Sequence, residues 1–306
     1  MRAAFYNERG DLASLQIGNQ PKPVPVPGEI LIKIHAAAVG IWDVNVMKGR
    51  FGNPPLPMIP GCEVAGVVEA GRDASGFKPG DEVYGCLGFK SGGFAEYAAA
   101  ETNHVAHKPE GISFEDAAAL VVSAGTAYEG LIDRAQLQAV ETVLVTGASG
   151  GVGTAAVQIA AATGAKVFGV ASARNRDYVR GLGASEAFDY NDSDWVSRLK
   201  ESVPEGVDVV FDGVGGRTRH RAIEAVKEGG RGVFIVGAPP DLRSDIQAHE
   251  FSADVTRGRL EAINRLVEEG KLKAHIEAEL PLEQATDAMT YVGGGHTRGR
   301  LVLTVR

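Results

Sequence analysis

Seven consecutive residues, Gly147-Ala148-Ser149-Gly150-Gly151-Val152-Gly153, carry the clearest chemical signal in the chain. A run so poor in bulky side chains leaves backbone N–H groups open to an anion. The residues before it, Val143 to Val145, are apolar and β-branched at both ends and read as a buried parallel strand. Those after it, Thr154 to Ala162, read as a helix with Val157 and Ala161 on one face. Strand, glycine turn and helix open a βαβ nucleotide-binding unit. Gly147 allows the tight turn. Gly150 and Gly151 let the backbone approach a pyrophosphate, and Gly153 lets helix and strand pack closely. The spacing departs from the usual G-x-G-x-x-G, and the plainer reading is a turn that binds nothing. A second strand at Lys166 to Ala171, at the right distance, favours a dinucleotide.

The end of that second strand bears on which dinucleotide. An NAD site wants an acid about 20 residues past the glycines, to hold the ribose 2′-hydroxyl. The segment here is Ala171-Ser172-Ala173-Arg174-Asn175-Arg176, with no acid between Val167 and Arg176. Arg174, with Ser172 beside it, suits a 2′-phosphate through charge-assisted hydrogen bonds. The expected cofactor is therefore NADP(H). The alternative is that Arg174 and Arg176 are solvated charges at a helix start.

These residues need a scaffold, and the chain is long enough for two domains at 306 residues. Its charge, 31 basic against 39 acidic side chains, gives −8 and argues against a nucleic-acid or anionic-membrane partner. No apolar leader follows Met1-Arg2, and no apolar run is long enough for a bilayer. The two cysteines, Cys62 and Cys86, make no disulfide framework, so a cytoplasmic location is the default.

The first part is β-rich, with strand candidates at 1–6, 29–38, 62–70, 81–85 and 94–99 cut by Gly and Pro. Ser113 caps a helix through Leu120, and another helix follows Thr126. From Glu141 the period changes. Strands at 143–146, 166–171, 186–188, 207–211 and 232–236 alternate with helices near 151–163, 174–182, 193–200 and 217–228. That pattern is a doubly wound parallel sheet. A further strand is expected at His249 to Val255 and a helix at Arg257 to Glu268. The tail breaks the rhythm, with strands at 276–280 and 300–305 around a helix at 282–291, and is expected to return to the first domain.

Several stretches taken together resemble one family. They are Pro60-Gly61-Cys62-Glu63-Val64-Ala65-Gly66, Gly80-Asp81-Glu82-Val83-Tyr84-Gly85, Gly92-Gly93-Phe94-Ala95-Glu96-Tyr97, Gly125-Thr126-Ala127-Tyr128, Gly147 to Gly153, Asp212-Gly213-Val214-Gly215-Gly216 and Gly299-Arg300-Leu301. In collinear order they are similar to the medium-chain dehydrogenases/reductases, in the zinc-independent quinone oxidoreductase (zeta-crystallin-like) branch. The resemblance implies an α/β chain: a GroES-like β-rich partial barrel (1–122 and 270–306) plus a Rossmann doubly wound parallel sheet (123–269). It implies NADPH-dependent transfer of hydride to a quinone or α,β-unsaturated carbonyl, with a homodimer as the assembly.

It also assigns residues. Thr126, Gly213, Val214, Val236, Gly237 and Ala238 fall near the nicotinamide, and Tyr190 flanks the 2′-phosphate. Trp42, Asp43 and Asn45 fall where the acceptor is positioned; the alternative is that Trp42 is core and Asp43 caps a short helix. The zinc branch's first ligand position is Trp42, its second Cys62 and its third falls among Val121, Val122 and Ser123, so no metal is expected. Two further readings stay open: an enoyl or alkenal reductase acting on acyl chains, and a non-catalytic NADPH-binding redox sensor.

Overall fold

Proline and glycine punctuate the first third of the chain into short strands, and the fold, a computed structural model, follows that punctuation. It describes residues 1–51, 54–71, 76–88 and 92–305. In chain order come β1 (Arg2–Phe5), β2 (Gln16–Asn19), β3 (Glu29–Val39), α1 (Ile41–Met47), β4 (Glu63–Gly71), β5 (Glu82–Cys86), β6 (Tyr97–Glu101), β7 (Val105–His107) and α2 (Phe114–Tyr128). The alternating half of the chain follows: β8 (Thr142–Thr146), α3 (Gly151–Ala162), β9 (Lys166–Ala171), α4 (Arg176–Gly181), β10 (Glu186–Asp189), α5 (Trp195–Ser202), β11 (Val207–Asp212), α6 (Gly216–Glu224), β12 (Val226–Phe234) and β13 (Gln247–Glu250). It closes with α7 (Arg257–Glu268), β14 (Ile276–Pro281), α8 (Ala285–Gly293) and β15 (Arg300–Thr304).

Packing divides the chain into two units. One comprises Met1–Val122, Val255–Glu268 and Ala274–Arg306; the other comprises Ser123–Asp254 and Glu269–Lys273. Helix α7 groups with the first unit, whereas the expected boundary had set it in the second. Its bonds explain this. Tyr84 donates its hydroxyl to the Leu260 carbonyl at 3.0 Å, and the Arg257 guanidinium donates to the Thr102 and Val105 carbonyls.

In the first unit a mixed sheet runs β14-β15-β3-β4-β5-β7, with β6 also on β3. All pairs are antiparallel except β14–β15. The long strand β3 reaches β15, β4 and β6, so its apolar residues Ile30, Ile32 and Ile34 anchor a core closed by Val64, Phe94, Met289 and Leu303. In the second unit six parallel strands run β10-β9-β8-β11-β12-β13. Numbered from β8 this is the order 3-2-1-4-5-6, the doubly wound arrangement, and the order reverses between β8 and β11.

Four expectations are corrected. The two helices set around Leu120 and Thr126 are one continuous α2, followed by a π-helical segment at Glu129–Arg134. The fully buried Ala124 and Ala127 on either side of Gly125 let tight packing override that residue's weak helix propensity. Ser113 does cap the start, accepting the Asp116 N–H at 3.0 Å. The helix expected to 228 ends at Glu224. Strand β12 begins at Val226, because a register shift against β11 absorbs the glycines at 229 and 230. That strand stops at Phe234, which leaves Val236 to Ala238 in the following turn. Strand β13 covers Gln247–Glu250, and residues 251–256 have no regular structure.

Candidate active site

The switch point of the parallel sheet lies where β8 and β11 end, and the glycine run leaves β8 there. Gly147 has φ +62°, a conformation few side chains accept. A Cβ on Gly153 would sit 2.1 Å from the Gly147 carbonyl oxygen, so the helix can start this close only as glycine. Gly150 has ordinary extended backbone and meets nothing nearer than 3.5 Å. The fold itself does not demand glycine there; a ligand lying against the turn would. Helix α3 begins at Gly151, so the N–H groups of Gly151, Val152 and Gly153 lack helical partners, whereas Ala148 and Gly150 donate theirs to the Val170 and Gly147 carbonyls.

A residue outside the expected set organises this point. Asp212 ends β11 fully buried. Its carboxylate accepts the Thr146 hydroxyl at 2.6 Å and the Val214 and Gly215 N–H groups. It thus ties the end of β8 to the turn holding Gly213 and Val214. Burial pushes its acidity down, raising the pKa against those hydrogen bonds. Arg219 from α6 donates to the Gly237 carbonyl, and the Ala238 N–H donates to Glu250 at 3.3 Å. Val214 and Val236 are about half exposed, 52% and 50%, at the carboxyl edge of the sheet. Exposed branched side chains at such an edge suit a flat apolar ring. Thr126 lies inside α2 and is buried, so it does not cap a helix.

At the neighbouring strand ends the other expected residues gather. Tyr190 follows β10 and donates its N–H to the Ala171 carbonyl that ends β9; the residue is 37% exposed. Ser172 and Arg174 follow that same strand end, with Arg174 exposed. Arg176 behaves differently. Its guanidinium donates to the Ala187 carbonyl at 2.7 Å, which commits it to the fold. Asn175, not expected to matter, is buried and donates to the Ser149 hydroxyl at 3.1 Å. It links the glycine turn to the Ser172–Arg174 segment.

In the first unit the residues expected near an acceptor have defined places. Asp43 is buried at the head of α1. One carboxylate oxygen accepts the Gly40 N–H at 2.8 Å, which closes the helix start, and the other accepts the Gly61 N–H at 3.1 Å. Asp43 therefore clamps α1 to the turn before β4. Burial pushes its pKa up to about 6. Asp43, Val46, Met58 and Cys62 line a small pocket. Trp42 packs its indole on Gly40, under the Arg300 guanidinium 5.0 Å from the ring centre. The Asn45 carboxamide oxygen accepts from Arg50 at 3.1 Å.

Glu63 is fully buried. It pairs with Arg300 and accepts the Val122 N–H at 2.8 Å. Burial outweighs the nearby cation and raises its pKa to about 7. With Glu63 so occupied, Asp43 bonded on both oxygens and Trp42 offering no metal donor, these groups do not make a three-ligand zinc site. Among the described residues no cluster of three or more His, Cys, Asp or Glu is placed to hold a metal.

Comparison with known proteins agrees with both units. Residues 26–110 match the alcohol dehydrogenase GroES-like domain, and residues 182–303 match the zinc-binding dehydrogenase family. The human quinone oxidoreductase is 35% identical over 99% of this chain and 97% of its own. The chain belongs to the quinone oxidoreductase-like medium-chain dehydrogenases/reductases. Within that family, the chloroplastic NADPH-dependent alkenal/one oxidoreductase of Arabidopsis thaliana is 34% identical over 99% of this chain and 79% of its own. The crystal structure of an NAD-dependent alcohol dehydrogenase superposes with a TM-score of 0.92 at 32% identity, covering both chains completely. The GroES-like and Rossmann architecture expected from the sequence is thus the family's fold.

Proposed function

We propose that the protein is an NADPH-dependent reductase that passes hydride to a quinone or an α,β-unsaturated carbonyl, with no metal ion taking part. The observation that carries this reading is the strand end Ser172–Arg174. It holds an exposed cation and no acid, and Asn175 ties it to the glycine turn at the switch point. A carboxylate there would repel a 2′-phosphate, whereas a guanidinium and a hydroxyl bind one. The relatives named quinone oxidoreductase and NADPH-dependent alkenal/one oxidoreductase support the acceptor class.

The division of labour follows from the chain's own groups. Within the turn Gly147 to Gly153 the open N–H groups of Gly151, Val152 and Gly153 receive the pyrophosphate, and Ser172, Arg174 and Tyr190 receive the 2′-phosphate. Gly213, Val214 and the turn Val236 to Ala238 border the nicotinamide. The reduced coenzyme supplies hydride to an acceptor that is already electron-poor. Quinones and enones spread the resulting charge onto oxygen, so the protein's task is alignment and exclusion of water. Asp43 serves as a positioning residue, since both of its oxygens hold backbone. Trp42 and Asn45 stand as acceptor-positioning residues on α1. We infer a homodimer as well, supported by β13, which pairs only with β12 among the described residues and so presents a bare edge.

The test is a fluorescence titration with NADPH and NADH, followed by a panel of quinones, enones and alcohols. Tighter NADPH binding and turnover of quinones or enones support the reading. Oxidation of alcohols with no reduction of either acceptor class overturns it.

A further inference from the structure

The chain has two cysteines in 306 residues, and the fold brings them together. Cys86 ends β5, opposite Glu63 on β4. Cys62 lies one residue before Glu63, and its carbonyl accepts the Leu87 N–H at 2.7 Å. Paired strands lie about 4.8 Å apart with about 3.4 Å per residue, so neighbours one step off register have Cα atoms about 6 Å apart. That separation is inside the range a disulfide spans. A flat ladder would turn the two side chains to opposite faces. Cys62 escapes that constraint because it precedes β4 and follows Gly61, whose φ is +93°. The two thiols lie close enough to perturb each other's ionisation.

The pair is asymmetric. Cys62 is buried and Cys86 only partly so. The neighbouring Cys62 thiol and the Gly88 N–H lower the Cys86 pKa, while the neighbouring Cys86 and burial raise that of Cys62. Cys86 is the nucleophile and Cys62 the resolving thiol. Cys62 also lines the pocket beside Asp43.

We propose that Cys62 and Cys86 are a modification site that closes to an intramolecular disulfide on exposure to a hydroperoxide. In the first step the Cys86 thiolate attacks the peroxide. An S–O bond forms, the O–O bond breaks, and the leaving oxygen departs with a proton as alcohol or water. In the second step the Cys62 sulfur attacks the sulfenic sulfur. The S–S bond forms, the S–O bond breaks, and water leaves with the Cys62 proton. Two thiols lose two electrons and one hydroperoxide gains them. The bond ties the residue before β4 to the end of β5 at the pocket wall, and a dithiol reverses it.

Intact mass and thiol counting test this on the native full chain treated with a small excess of hydrogen peroxide, then denatured in alkylating reagent. The expected result is a fall from two free thiols to none, a mass loss of about 2 Da, no covalent dimer, and recovery of both thiols with dithiothreitol. Cys62→Ser is expected to stop at a sulfenic acid trapped by dimedone. Survival of both thiols overturns the proposal. So does oxidation of either sulfur to sulfinic acid without an S–S bond, or a disulfide that forms only between chains. Because the parent protein alone gives the deciding readout, a variant that misfolds does not affect the outcome.

Discussion

The glycine turn of the parallel sheet and the buried charges of the GroES-like unit are two different ways of building a site. At the turn the working groups are backbone N–H groups, and the sequence requirement is the absence of side chains. A Cβ at Gly153 would collide with the Gly147 carbonyl, whereas one at Gly150 would make only an ordinary contact, 3.5 Å from that same oxygen. In the first unit the working groups are side chains held by partners. Asp43 spans Gly40 and Gly61, and Glu63 holds Arg300, which lies over Trp42. The first kind of site tolerates little change but keeps its geometry through the fold. The second stands on desolvated carboxyls whose charge depends on pH.

If that contrast is right, enlarging the turn does the most damage. Gly153→Val forces α3 away from β8, and overpacking of about 1–3 kcal/mol placed on the bound geometry weakens NADPH binding roughly 10- to 100-fold. Fluorescence titration checks this, with circular dichroism to confirm that the chain still folds. Arg174→Ala comes next. Loss of a charged hydrogen bond to phosphate, about 1.5–3 kcal/mol, lowers NADPH affinity about 10- to 100-fold and leaves NADH unchanged. An equal loss for both coenzymes would remove the argument for a 2′-phosphate site. Asp212→Asn keeps the shape but weakens the ties to Thr146 and the Gly215 N–H. At about 0.5–1.5 kcal/mol per bond, the KM for coenzyme rises about two- to tenfold.

The buried charges are tested by pH. Glu63 binds its proton more tightly folded than unfolded, so its contribution to stability is present at low pH and is lost as pH rises through about 7. Glu63→Gln removes that titration. The variant's melting temperature therefore gains on the parent's between roughly pH 5 and pH 8. Lowered histidine pKa values at His35, His249 and His275 act in the opposite sense but are common to both proteins and cancel in the difference. A parallel pair of curves would show that Glu63 does not titrate in this range. The smallest effect is expected at Asn45, whose carboxamide already accepts from Arg50. Asn45→Ala is expected to shift the KM for acceptor by a few-fold with kcat little changed.

How much of this was readable beforehand follows the same contrast. The glycine turn, its flanking strand and helix, and Ser172–Arg174 lie close along the chain and appear as local spacing. The doubly wound order follows from strands alternating with helices, so the switch point could be expected as well. The ties that hold the sites were not readable. Asp212 reaches Thr146 across 66 positions, and Glu63 reaches Arg300 across 237. Nothing local in either partner marks it for the other. Asp212 stood beside Gly213 in a recognised stretch, and an acid at the end of a sheet strand was the one signal that could have singled it out. Arg219 and Asn175 gave none. The break assigned near Leu120 to Thr126 failed for a related reason: burial on neighbouring elements, not local propensity, carries α2 through Gly125.

The central claim is that hydride passes directly from a phosphorylated nicotinamide coenzyme to an electron-poor acceptor, with no cation assisting. Chelator-treated protein given NADPH deuterated at the transferable position, together with an enone, tests it in one product. Deuterium at the β-carbon of the saturated ketone, at the rate the untreated protein shows with the same deuterated coenzyme, is the predicted result. Activity that vanishes on chelation and returns with zinc, or product that carries no label, would contradict it.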